Sequence, residues 1–259
     1  MIKTTNLNVK ELTPIIAPFY LKQIFPLLEQ EAVFVTESRR TVKSILRGED
    51  KRLMAVVGPC SIHDPKSALE YAERLAKLSE EVKEKIFLVM RVYFEKPRTT
   101  VGWKGLINDP DMDGSHQISK GLGIARRLLS EITKLRLPIA GEMLDPITPQ
   151  YISDMITWGA IGARTTESQT HREMASGLSF PVGFKNGTDG NLKVATDAML
   201  AALRPHSFLG INSEGKTSIV KTTGNPDVHL VLRGGDKKPN YSYNDIMEAY
   251  ELLRGNNLP

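Results

Sequence analysis

The feature that most constrains this chain is a pattern repeated from residue 53 onward: a short apolar run, a polar loop, then an amphipathic stretch. Each unit reads as a strand followed by a helix, and strands that return through helices lie parallel, with the helices packed outside them. Six runs qualify as strands: Leu53–Val57, Ile86–Tyr93, Pro138–Glu142, Ala160–Arg164, Pro181–Lys185 and Val228–Arg233. They are continuous rather than alternating, as parallel strands covered on both faces should be. After the first run, Asp64-Pro65 offers an N-cap and a first-turn proline, and Ala68, Leu69, Ala72, Leu75 and Ala76 follow at helical spacing. Ile118, Leu122, Ala125, Leu129 and Ile132 repeat that spacing after the second run. Thr148-Pro149 opens a third helix with Ile152, Met155 and Ile156, and Leu192, Ala195, Ala198, Met199 and Ala202 line a later one. The last spans Ser242 to about Arg254, with Ile246, Met247, Tyr250 and Leu253 on one face. Between the fifth and sixth runs, Phe208–Asn212 and Thr217–Thr222 flank Ser213–Lys216, which predicts an inserted β-hairpin.

The first 50 residues stand outside the repeat, carrying Pro14, Pro18 and Pro26 before a helical stretch around Thr41–Leu46. Residues 1–50 read as an N-terminal extension for assembly or regulation, and residues 51–259 as the barrel units. With 41% hydrophobic and 25% charged residues, one α/β domain is the simplest organisation. The net charge of +4 comes from 34 basic residues scattered among 30 acidic ones, which argues against a nucleic-acid partner. No apolar stretch of about 18 residues occurs and the N-terminus has no signal-like run, so a soluble, cytoplasmic protein without a membrane partner is expected. The single cysteine, Cys60, rules out an internal disulfide and fits a reducing compartment.

Parallel barrels place their active sites at the C-terminal strand ends. Here those ends present Cys60, Arg91, Glu142, Arg164, Lys185 and Arg233. Any one of them could be polar only because a strand is surfacing, but six in succession, four of them cationic, are harder to dismiss. In a barrel Arg91, Arg164, Lys185 and Arg233 would converge on one cavity, where like charges are unfavourable unless a polyanion relieves them. A small molecule carrying phosphate and carboxylate groups fits, and arginine suits both through its bidentate fork. The loop Lys96-Pro97-Arg98-Thr99-Thr100 adds two cations and two hydroxyls, suited to a second phosphate or to a plain solvated loop. Glu142 either handles a proton or a water, or pairs with Arg91 or Lys185. Cys60 is either an inert core thiol or, favoured by nearby cations, a thiolate able to bind metal. His63, at the entrance to the following helix, is read as pointing away from the mouth.

Gly58-Pro59-Cys60-Ser61, Lys96-Pro97-Arg98-Thr99, Gly162-Ala163-Arg164-Thr165-Thr166-Glu167-Ser168-Gln169, Gly183-Phe184-Lys185-Asn186-Gly187-Thr188 and Leu232-Arg233-Gly234-Gly235 occur in this order. Together they resemble the signatures of the metal-dependent, aromatic-amino-acid-inhibited synthases of 3-deoxy-D-arabino-heptulosonate 7-phosphate (DAHP). The resemblance runs along essentially the whole chain. It implies a (β/α)8 TIM barrel and the first step of the shikimate pathway, the condensation of phosphoenolpyruvate with erythrose 4-phosphate. It places Arg91, Arg164, Lys185 and Arg233 on phosphoenolpyruvate, Lys96 between the substrates, and Arg98 and Thr99 on the aldose phosphate. Glu142 would position the attacking water, and Cys60 would be a ligand of a divalent metal (Mn, Fe, Co or Zn). It also implies a homo-oligomer when complete and feedback inhibition by an aromatic amino acid. Asp145-Pro146, Ile147-Thr148-Pro149-Gln150 and Gly210-Ile211-Asn212 resemble the tyrosine-inhibited isoform most. The chain reaches Pro259 one helix after the sixth run, so the barrel is expected to be truncated after six of eight units, lacking the family's other metal ligands. The expectation for these 259 residues by themselves is no turnover and self-association through open sheet edges, the family reaction belonging to the complete barrel. The alternative reading is a non-catalytic remnant that binds anions or pairs with an intact paralogue.

Overall fold

The computed structural model describes residues 2–236 and 238–259. Six strands form one parallel sheet: β1 (Leu53–Val57), β2 (Ile86–Arg91), β3 (Ile139–Glu142), β4 (Trp158–Ile161), β5 (Val182–Lys185) and β8 (Val228–Val231), in that spatial order. The sheet curls into a partial barrel with helices outside it, the arrangement that continuous apolar strands predict. Among the described residues β1 pairs only with β2, and β8 only with β5. The inserted hairpin is present as β6 (Ser207–Ile211) and β7 (Thr217–Lys221), antiparallel and separate from the main sheet. Its turn is held by the Asn212 side chain, which accepts from the Glu214 and Lys216 amides.

Strand parity decides what reaches the barrel interior. In β2 and the residues just after it, Leu88, Met90 and Val92 pack outward in the main core, while Val89 and Tyr93 join Ala140, Trp158 and Ala160 inside. In β3 and β5, Ile139, Val182 and Phe184 face the outer core. Burying such side chains almost completely contributes about 1.5–3 kcal/mol each. The opposite parity carries Arg91, Glu142 and Lys185 to the inner face at the strand ends. Inside, Trp158 Nε1 donates to His229 Nε2 at 3.0 Å. Burial pushes His229 down to about 4, so it stays neutral and able to accept. Gly183 leaves the space this pair needs, since a Cβ there would lie 2.8 Å from Trp158 and 3.0 Å from His229.

The helices are α1 (Pro18–Ile24), α2 (Glu29–Leu46), α3 (Pro65–Val82), α4 (Ile118–Lys134), α5 (Pro149–Ile152), α6 (Gln169–Ser176), α7 (Lys193–Ala202) and α8 (Tyr243–Gly255). Asp64 caps α3 by accepting from the Lys66 and Ser67 amides, as its sequence predicts, and Ser242 caps α8. Several elements differ from expectation. The third helix stops at Ile152 and closes in a single tighter turn over Ser153–Met155. Helix α2 begins twelve residues before Thr41, because its buried face is Glu31, Val35, Ser38 and Val42, a stripe half polar and so invisible to apolar periodicity. Helix α1 is also new, and α6 was missed because its only buried residues, Met174, Ala175 and Ser176, crowd into its last turn. Strand β4 lies earlier than Ala160–Arg164, since Thr165 and Thr166 amides already turn back onto the Gly162 carbonyl. Strands β2 and β8 stop at Arg91 and Val231, short of Tyr93 and Arg233.

The N-terminal extension is fastened to the sheet side. Val42 of α2 enters the inner cluster, and Arg39 donates to the Ile156 and Ser153 carbonyls. Arg126 of α4, fully buried, bonds the Phe25 and Tyr151 carbonyls and both carboxylate oxygens of Asp154. Lys43 of α2 and Arg47 at its C-terminal cap pair with Asp227, just before β8. These bonds fix the extension over the barrel end opposite the polar strand ends.

Candidate active site

The C-terminal strand ends surround an open cavity of about 370 Å³. Cys60, Arg91, Lys96, Arg98, Glu142, Arg164, Lys185 and Arg233 all line it, so eight of the nine predicted site residues come together. Thr99 is exposed beyond the lining. His63 borders a different, more apolar cavity against α3, as expected of a side chain turned from the mouth.

Each functional group is placed by a specific local device. Arg91 ends β2; its Nη2 donates to the Cys60 carbonyl at 3.0 Å, and its Nε is buried without a partner. Lys96 Nζ lies 2.7 Å from Cys60 Sγ. That ammonium draws the thiol below its usual range, overcoming the opposing effect of burial. Cys60 is exposed, which settles the core-thiol reading against. Arg98 Nε donates to the Trp103 carbonyl at 2.7 Å, which holds its guanidinium at the cavity edge. Arg164 stands on the turn after β4, exposed. Lys185 pairs with Glu142 at 3.0 Å, the salt-bridge option considered for that carboxylate. Glu142 is nearly enclosed, and Gly162 makes its position possible: a Cβ there would lie 2.5 Å from Glu142 Oε1. Among the described residues, Lys185 alone of the four strand-end cations has a carboxylate partner.

Arg233 lies beyond β8 and is positioned by a buried asparagine. Asn186 Oδ1 accepts from the Arg233 amide at 2.9 Å and from Asn240 Nδ2 at 3.1 Å, while its Nδ2 donates to the Gly187 and Gly234 carbonyls. This clamp joins the ends of β5 and β8. Sequence reading missed it, as it missed Tyr93 and Glu95, although both follow Arg91 at strand parity and so share its inward face. The Tyr93 ring lies under the Arg91 guanidinium. Glu95 is buried, and burial with the nearby Asp145 carboxylate pushes it up to about 8.

The thiolate of Cys60 is a suitable donor for a divalent metal. Among the described residues no group of three His, Cys, Asp or Glu gathers in a metal-holding arrangement, so Cys60 by itself does not make a site.

An incomplete parallel barrel whose strand ends gather cations, a polarised thiol and the enclosed carboxyl groups of Glu142 and Glu95 defines a barrel enzyme for a small substrate rich in negative charge. The chain belongs to the DAHP synthetase I family, whose pattern matches residues 28–259. It is 58% identical over 254 residues to the Phe-sensitive phospho-2-dehydro-3-deoxyheptonate aldolase of Escherichia coli K12, covering 98% of this chain and 72% of that protein. It is 57% identical over 244 residues to the Tyr-sensitive enzyme of the same organism, covering 94% and 68%. The solved structure of a phospho-2-dehydro-3-deoxyheptonate aldolase from Francisella tularensis SCHU S4 superposes with a TM-score of 0.95 at 50% identity, over 97% of this chain and 74% of that one.

Proposed function

We propose that the strand-end cations of this synthase bind phosphoenolpyruvate and that the Lys96–Arg98 loop receives erythrose 4-phosphate. The reaction is the family's: condensation of the two substrates to DAHP and phosphate, the opening step of the shikimate pathway. The observation that carries the assignment is the convergence of Arg91, Arg164, Lys185 and Arg233 on one cavity, where among the described residues only Lys185 has a carboxylate partner, Glu142. A phosphate with an adjacent carboxylate supplies the missing negative charge, and three of the four cations present forks able to bind it bidentately.

In this reading C3 of phosphoenolpyruvate attacks the aldehyde carbon, a water adds to C2, and phosphate leaves from C2. Glu142, nearly enclosed at the site and held by Lys185, orients that water and takes its proton. Lys96, reaching across from the loop to Cys60, stands between the two substrates and balances their charge. Arg98 and Thr99 hold the aldose phosphate, Arg98 from a guanidinium already tethered to Trp103. The family depends on a divalent metal, which when bound polarises the aldehyde oxygen; Cys60 is the residue here that would donate to it. The family match and the relatives favour this reading over the non-catalytic, anion-binding alternative.

Residues 1–50 serve assembly or regulation in this account, supported by the exposed apolar side chains Leu7, Leu12, Phe19 and Tyr20. Feedback inhibition by an aromatic amino acid is supported by a small cavity between α5 and the hairpin, where Pro146, Pro149 and Gln150 face Phe208, Gly210 and Ile211; tyrosine is favoured on the sequence of those two segments alone. The relatives include Phe-, Tyr- and Trp-sensitive enzymes. The free thiol suits the cytoplasm, and no described helix is long and apolar enough to cross a membrane. The test of function is phosphate release by the complete barrel with Mn²⁺. Release that requires both substrates supports the reading, and phosphoenolpyruvate consumed without the aldose contradicts it.

A further inference from the structure

Tyr93 has no part in the chemistry just described, yet it is the residue around which two of the four strand-end cations are arranged. Its side chain is buried, 4% exposed, on the inner face of the barrel two residues after Arg91. The Arg91 guanidinium carbon lies 3.9 Å from the ring centroid, and Lys185 Nζ lies 5.5 Å from it. Both distances fall within the reach at which the negative face of an aromatic ring attracts a cation. The two cations come from different strands, β2 and β5, which are not neighbours in the sheet. Without a ligand they would repel and scatter, and binding would have to order both side chains at an entropic cost.

We propose that Tyr93 is a positioning residue for phosphoenolpyruvate binding, its ring face holding the Arg91 guanidinium and the Lys185 ammonium in their anion-receiving places before substrate arrives. The inference rests on the assignment of these cations to phosphoenolpyruvate. The arrangement leaves other bonds consistent with it. Arg91 is anchored by one donated hydrogen bond, to the Cys60 carbonyl, while its buried Nε has no oxygen partner. Lys185 is anchored by Glu142. For Arg91 the ring supplies attraction that a carboxylate would supply only by cancelling the charge the substrate needs, and for Lys185 it adds to the Glu142 pair. Burial and the Glu142 charge hold the phenol above its usual range, so the ring stays neutral.

The role belongs to the π face and not to the hydroxyl, which makes it separable from simple packing. Phosphoenolpyruvate binding to the protein is measured by calorimetry for the wild type, Tyr93→Phe, Tyr93→Leu, and position 93 carrying phenylalanine with one, two or three ring fluorines. Fluorination drains the ring face with little change of shape, so a packing role leaves affinity flat across the series. The expected result is Tyr93→Phe within about twofold of wild type and a stepwise weakening with each fluorine, reaching about threefold to tenfold by the third and in Tyr93→Leu. Melting temperatures across the fluorinated series should stay level, which keeps the test valid even where Tyr93→Leu folds poorly. Equal affinity across the fluorinated series in a protein that binds phosphoenolpyruvate overturns the inference alone. A wild-type protein that does not bind phosphoenolpyruvate overturns the site assignment, and this inference with it.

Discussion

Replacing Gly162 by alanine should disable the enclosed carboxylate without touching it. The backbone at Gly162 is not in the left-handed region, so alanine is locally permitted, and the strain falls on the side chain it meets. The added Cβ would lie 2.5 Å from Glu142 Oε1 and would have to reach 3.4 Å for ordinary contact, so the carboxylate must retreat by about 0.9 Å. Glu142 is 8% exposed and bonded to Lys185 at 3.0 Å, so the retreat lengthens or turns that ion pair. A displacement near 1 Å of a catalytic group costs on the order of 100-fold in turnover, and crowding of this kind costs roughly 1–3 kcal/mol of stability. The assay is kcat and KM for phosphoenolpyruvate in the complete enzyme, with urea unfolding alongside. The expected outcome is kcat down by about two orders of magnitude, a smaller change in KM, and a protein still folded in dilute buffer. Wild-type kcat in a folded Gly162→Ala protein would refute the role given to Glu142.

Three further outcomes follow from the same geometry. Alkylation of Cys60 followed against pH should report a thiol titrating below its ordinary value, and Lys96→Met should move it back up while leaving stability within about 0.5 kcal/mol, since both groups sit at the surface of the mouth; an unchanged titration in Lys96→Met would contradict the pairing. Glu95, raised from 4.5 to about 8, favours its neutral form when folded, so the stability it supports is present below about pH 4.5 and is lost as pH rises through 8. Glu95→Gln should therefore unfold at higher urea than wild type at pH 9, by a few kcal/mol, and the two should converge in acid; parallel curves across that range would count against it. Asn186→Ala should strip the Arg233 amide and the Gly234 carbonyl of their partners at a cost of about 2–4 kcal/mol, and weaken phosphoenolpyruvate binding more than Asn240→Ala does.

How far the sequence reaches is clearest at particular residues. The main sheet was legible because buried parallel strands are apolar on both faces, and the charged residues at their ends stood out against that background. Strand parity then carried Arg91, Glu142 and Lys185 to one face, which is why they meet in the cavity. Tyr93 and Glu95 obey the same parity, but an aromatic residue and a carboxylate just past a strand carry no signal until the fold brings Lys185 and Asp145 beside them. Asn186 was legible as part of a motif and not as a clamp, because its partners at Arg233 and Asn240 lie about fifty residues away. Helix α2 was half hidden because Glu31 and Ser38 occupy its buried face, Glu31 by turning back to cap the Leu28 amide. Arg126 could not be read as core at all: burial of an arginine depends on Asp154 and two distant carbonyls that only the folded chain assembles.

The central claim is that four strand ends form one phosphoenolpyruvate site, and Arg164 tests it with least disturbance, since its side chain is exposed and removing it should leave the fold intact. Calorimetric titration of the protein and of Arg164→Ala with phosphoenolpyruvate, pyruvate and inorganic phosphate is the direct measurement. The expected result is saturable one-to-one binding of phosphoenolpyruvate, tighter than either smaller anion, and weakened about tenfold or more in Arg164→Ala. Equal affinity in the two proteins, or no preference for phosphoenolpyruvate over phosphate, would contradict it.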